Sequence, residues 1–209
     1  MIDVLHLLLR IGDRLFLKLI QVRCTSKELQ TALTRALAEL SVKFDFWTNK
    51  GGELQWTKLN GVNNTLALSQ LDLVALLGED AGQPIEQLWR DFMAIYRRIN
   101  AQAVPDLAKL QADIEAWTAQ YLQQYSLILD DDDNMVGVEE GMYGNNDITP
   151  YIHMLMAHVV EQIKRHGSLR KYSCQTLEHV NHINQLVFFR MTPRGMCAGS
   201  RVRVVHECV

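Results

Sequence analysis

His153 and His158 stand five residues apart, and one carboxylate, Glu178, follows at a Ser/Cys/Gln-rich turn. Imidazoles ligate zinc, and a carboxylate beside them could serve as a catalytic acid. The spacing limits what the histidines can do. In an ideal helix residues i and i+4 share a face, whereas i and i+5 point roughly 140° apart. The pair can bracket one ion only if His153 lies near the start of its helix, where the chain can adjust. Zinc also wants four ligands, and Cys24, Cys174, Cys197 and Cys208 include no close pair to supply the rest. Two separate, individually satisfied histidines are the plainer reading. Glu178 has a plain reading too, as a first-turn glutamate favoured by the helix dipole. Cys174 and His179 could form a nucleophile pair, but no oxyanion site or orienting group accompanies them.

The elements that must position these residues are mostly helices. Residues 2–22 carry Leu5, Leu8, Leu9, Phe16, Leu19 and Ile20 at helical steps, with no evident cap before them. Thr25 or Ser26 caps a second helix, with Glu28 in its first turn. Phe44, Phe46, Leu54 and Trp56 flank "TNKGG", which predicts a β-hairpin near 43–58. A short helix is expected to end at Gly78. Longer ones carry the stripes Leu88, Phe92, Ile95, Tyr96, Ile99 and Leu107, Leu110, Ile114, Trp117, Tyr121, Leu122. The tryptophans Trp47, Trp56, Trp89 and Trp117 read as core or hairpin anchors rather than base-stacking platforms. The run "DDDDNMVGVEEGMYGNND" lacks the ligand spacing of an EF-hand loop and reads as a solvated linker. Asp147 or Thr149 caps the histidine-bearing helix, Pro150 opens it and Gly167 stops it. A further helix is expected after Ser168.

The organisation expected is a helical region with a hairpin over 1–129, an acidic flexible loop over 130–147, His/Glu-bearing helices over 148–195 and an irregular tail over 196–209. Apolar residues make up 48% of the chain and the formal net charge is −3, so any nucleic-acid contact must be a local patch. The last third supplies one in Lys164, Arg165, Arg170, Lys171, Arg190, Arg194, Arg201 and Arg203, although a solvated helix face reads equally well. Scattered cysteines indicate reduced thiols inside a cell. No apolar run reaches the roughly 18 residues of a membrane span.

One stretch goes further. Tyr151, His153, His158, Val159 and Glu161, then Gly167, Ser168, Leu169 and Tyr172, then Glu178 and Asn181, keep their order without a gap. This series resembles the C-terminal part of the catalytic subunit of the V(D)J recombinase and of related transposases. That family has a Y-x-H-x4-H-V-x-E helix, a Gly-Ser-(Leu/Ile) turn and a Glu-x-x-Asn. The start "IDVLH" resembles a helix that precedes this segment in the same family.

The resemblance implies an RNase H-like core in which three acids hold two Mg²⁺ or Mn²⁺ ions, Glu178 matching the third acid. It implies a zinc site in which His153 and His158 meet a CxxC pair contributed from elsewhere in the family's chain. It implies DNA contacts at Arg170, Lys171, Arg190 and Arg194. The fold class expected is mainly α: a helical insertion plus C-terminal helices of an RNase H-like transposase, with one small hairpin. The family's first two acids and its CxxC would precede Met1, and "GSRVRVVHECV" does not continue the pattern. The expectation is therefore a truncated or domesticated transposase- or recombinase-like protein without cleavage activity of its own. It would hold neither Mg²⁺, Mn²⁺ nor Zn²⁺ stably. DNA and a second copy in a homodimer are the partners implied, with no membrane, and the location is intracellular, nuclear if functional. The alternative is a helical DNA-binding or protein-interaction module derived from a transposase. Truncation predicts exposed apolar surface at Leu5, Leu8 and Leu9.

Overall fold

The computed structural model describes residues 2–122, 126–129, 135–139, 142–174 and 180. The chain divides into two compact units, Met1–Ser173 and Cys174–Val209.

The first unit is mainly helical. The α-helices among the described residues are α1 (Val4–Lys18), α2 (Lys27–Glu39), α3 (Gly61–Gln70), α4 (Leu73–Leu77), α5 (Glu79–Ile99), α6 (Leu107–Leu122), α7 (Pro150–Ala157) and α8 (Val159–His166). Side-chain caps satisfy the first free amides of several. Asp3 accepts from Leu5 N at 2.9 Å, Ser26 from Leu29 N at 3.3 Å, and Thr149 from Ile152 N at 3.3 Å. The cap on α1 corrects the expectation of an uncapped start. A π turn, Leu19–Arg23, widens the end of α1, where the sequence reads as one unbroken helix.

Two antiparallel strand pairs lie among the described residues, besides the short 3-10 turns Asn145–Asp147 and Leu169–Tyr172. β1 (Phe46–Thr48) pairs with β2 (Leu54–Trp56) in the register Phe46↔Trp56, inside the predicted 43–58 window. Asn49 Oδ1 accepts from Gly51 N and Glu53 N, both at 2.9 Å, and Gly52 takes φ +84°, which closes the turn. The second hairpin, β3 (Ser126–Leu129) with β4 (Met135–Glu139), was not expected. It places a strand inside the stretch read as an acidic flexible loop.

The core is built on α1, α5 and α6. Val4, Leu7, Leu8, Ile11 and Leu15 from α1 meet Leu88, Trp89 and Phe92 from α5 and Ile114, Trp117 and Tyr121 from α6, all buried. Trp117 and Tyr121 stack at 5.2 Å, and Tyr121 and Tyr143 at 4.9 Å. Each of these buried polar tips finds a partner. Trp117 Nε1 donates to Leu88 O at 3.0 Å, Trp89 Nε1 to Tyr143 Oη at 3.1 Å, and Tyr143 Oη to Leu15 O at 3.1 Å. Burial raises the pKa of both tyrosines, so they remain neutral donors.

Three expectations change. Leu5 and Leu8 are buried and Leu9 is half-buried, so the chain's own elements cover the face expected to be bare. Asp147 is buried instead of solvated. Trp89 and Trp117 are core as read, but Trp47 is 50% exposed on the outward face of its hairpin. No helix among the described residues is long and apolar enough to cross a membrane.

Candidate functional site

The helix carrying the histidines does not run straight. Thr149 caps α7, Pro150 occupies its first position, and His153 follows within the first turn, where the spacing argument requires it. The backbone then departs from helical geometry at His158, with φ −126° and ψ −23°, and α8 begins at Val159. This joint reconciles the i, i+5 spacing with proximity. The imidazole centroids are 5.1 Å apart, edge to face, and both side chains are exposed. The two rings that an ideal helix would separate thus meet on one surface, anchored beneath by buried Ile152, Leu155, Val159 and Ile163.

Glu161, the acid in the same series, is engaged with Arg165 Nε at 2.8 Å, one helical turn on. Among the described residues no group of three or more His, Cys, Asp or Glu is placed to hold a metal ion. Two monodentate imidazoles give a weak zinc site. Protein dialysed against a mild chelator should therefore retain far less than one equivalent of zinc by atomic absorption. Stoichiometric retention would show that further ligands reach His153 and His158.

Gly167 ends α8 with φ +72°, a left-handed conformation that glycine adopts without strain. The chain then forms a 3-10 turn, Leu169–Tyr172, at the position where a further α-helix was expected to begin. This turn is tied down on its inner side: Leu169 is buried and Ser168 Oγ donates to Ala101 O at 2.6 Å. Its outer side presents Arg170 and Lys171, both exposed, with Lys171 Nζ 5.0 Å from the Tyr172 ring centroid. Lys164 and Arg165 at the end of α8 are exposed beside it in sequence. Those two have a structural role as cations at a helix C-terminus. Arg170 and Lys171 lie beyond the helix and are not explained that way.

Helix α1, which starts in "IDVLH", packs against both α7 and the 169–172 turn. At its start Asp3 pairs with His6 Nδ1 at 2.6 Å while its other oxygen caps the helix. Glu178, Arg190 and Arg194 lie outside the described residues, as do most of the 148–195 segment beyond residue 174 and all of the 196–209 tail. Cys24 is buried, and burial pushes its thiol up to about 11, so it stays protonated and unreactive near neutral pH.

The feature that sequence reasoning missed is the ion cluster around Asp147. Its carboxylate receives Arg14 Nη2, Lys18 Nζ at 2.8 Å and the Gly144 amide at 3.0 Å. Its carbonyl receives the Tyr121 hydroxyl at 3.0 Å. The cluster pins the start of the histidine-bearing segment to α1. The available signal was weak: Arg14 and Lys18 lie one turn apart on α1, but His6, Arg10 and Asp13 interrupt the same helix. No protein-family model matches the chain, and neither a curated protein nor a solved structure matches it.

Proposed function

We propose that this chain is a transposase- or recombinase-derived protein that contacts DNA through the basic surface at residues 164–171 and does not cleave it alone. The observation that supports the reading is the packing of α1 against α7 and the 169–172 turn, together with the paired rings of His153 and His158. Helix α1 and residues 150–172, which carry part of the resemblance to V(D)J recombinase-type enzymes, lie more than a hundred residues apart in sequence and pack together. The exposed Arg170 and Lys171 on an anchored turn suit phosphate contacts, because a rigid mount spares the entropy of ordering them. The expected lack of cleavage follows from the chemistry of two-metal transfer, which needs several carboxylates to clamp both ions. The sequence series matches one, Glu178.

The test is DNA binding as a function of salt. Duplex DNA should bind in the micromolar range at low salt and weaken as salt rises. Arg170→Ala combined with Lys171→Ala should weaken it and reduce the log–log salt slope by about 2, roughly 0.9 per lost phosphate contact. Unchanged affinity and slope would remove this surface from the reading.

A further inference from the structure

A second candidate site lies away from the histidines, between α1, the end of the first hairpin and the start of α3. It is a cleft of about 220 Å³ walled by Phe16, Trp56 and Leu59, with Asp13, Asn64 and Lys58 among its lining residues. Two of these are costly to leave as they are. Asn64 is fully buried. Its Nδ2 donates to Leu59 O at 3.1 Å, but its Oδ1, packed near Gly12, has no hydrogen-bond partner. Asp13 is half-buried and makes no ion pair among the described residues. Burial raises its carboxyl pKa against the opposing pull of Arg10, Lys58 and the Asn64 side chain. The Asn64 oxygen is sealed against Gly12, so Asp13 is the group a ligand can reach. A half-buried carboxylate with no ion pair among the described residues, in a cleft walled by Trp56 and Phe16, is the composition of a ligand site.

The residues also define the ligand. Trp56 and Phe16 suit a flat, apolar ring. The Asp13 carboxylate accepts N–H donors on one edge of that ring, and exposed Lys58 suits an anionic substituent at the mouth. We propose that this cleft binds a planar heteroaromatic amine carrying an anionic group, the chemistry of an amino-bearing nucleotide base. The base can come from a free nucleotide or from an unpaired position in a DNA strand. The cleft stands on its own residues and does not rest on the contacts made by Arg170 and Lys171.

Calorimetric titration of the full chain with GMP, AMP, CMP and UMP tests it, beside a short single strand with one guanine and the same strand with an abasic site there. At least one amino-bearing nucleotide, or the guanine strand, should bind saturably. Asp13→Asn should weaken that binding about tenfold or more, the worth of one hydrogen bond to a charged acceptor. UMP, which lacks the exocyclic amine, should bind correspondingly more weakly. A mononucleotide that binds as tightly as the strand identifies the free ligand. A strand that binds more tightly, and loses that advantage at the abasic site, identifies the base in DNA. Folding is controlled in the same variant. Because Asp13 titrates higher in the folded state, its ionisation opposes folding. Asp13→Asn should then raise the melting temperature at neutral pH, and the difference should fade below the ordinary carboxyl value of 3.8. No saturable binding by any of these ligands, equal binding of UMP, or undiminished binding by Asp13→Asn overturns the proposal, whatever Arg170 and Lys171 do.

Discussion

Asp147→Ala will lower the unfolding free energy by about 2–4 kcal/mol. The side chain is 8% exposed and answers two cations, Arg14 at 24% and Lys18 at 23%. Removing it leaves both cations facing each other across a partly desolvated space, and the Gly144 amide loses its acceptor. A wholly buried pair would cost about 3–5 kcal/mol to break. Here Arg14 and Lys18 keep some water, which sets the lower end. Asp147→Asn keeps the shape and one acceptor and should cost less. Urea unfolding followed by circular dichroism measures both. A loss below about 0.5 kcal/mol for the alanine variant would place the cluster with ordinary surface ion pairs.

Gly82→Ala will destabilise the protein by about 3 kcal/mol, the upper end for overpacking. On helix propensity alone the substitution should stabilise α5 by about 1 kcal/mol. Packing reverses the sign. A Cβ at Gly82 would lie 2.2 Å from Leu73 O, 2.6 Å from Leu73 C and 2.7 Å from Val74 Cα. All three are backbone atoms, so no side chain can rotate away, and α4 must lift from α5. Helix α4 is not free to do so, because Leu73 N donates to Glu86 Oε2 at 2.8 Å. A melting temperature equal to or above that of the parent would show that α4 yields without cost.

The range of the interactions decides what was legible in the sequence. Helices α5 and α6 were legible because their apolar stripes are local and long, and α2 because Ser26 and Glu28 mark its start. The first hairpin was legible through Gly51 and Gly52 at its turn. Asp147 was not, because its partners lie 133 and 129 residues away, and an aspartate near an acidic run looks solvated until Arg14 and Lys18 are brought to it. The second hairpin was missed because "SLIL" is a short apolar run that periodicity cannot tell from the end of a helix. The histidine pair was legible through the resemblance rather than through periodicity. Ideal helix geometry separates the two rings, and the irregular backbone at His158 brings them together. Trp47 shows the converse error. Its residue type suggests core, but strand alternation places it opposite Gln55 on the face away from Phe46 and Trp56.

The reading as a DNA-contacting, non-cleaving relative of recombinase-type enzymes turns on one assay. Purified chain is incubated with supercoiled duplex DNA in Mg²⁺ and separately in Mn²⁺, and nicked product is quantified beside bound DNA. The account predicts retention of DNA with no nicking above the metal-only control, and no change in either for Glu178→Gln. Metal-dependent nicking that Glu178→Gln abolishes would contradict it, because the chain would then possess a complete set of metal-clamping carboxylates.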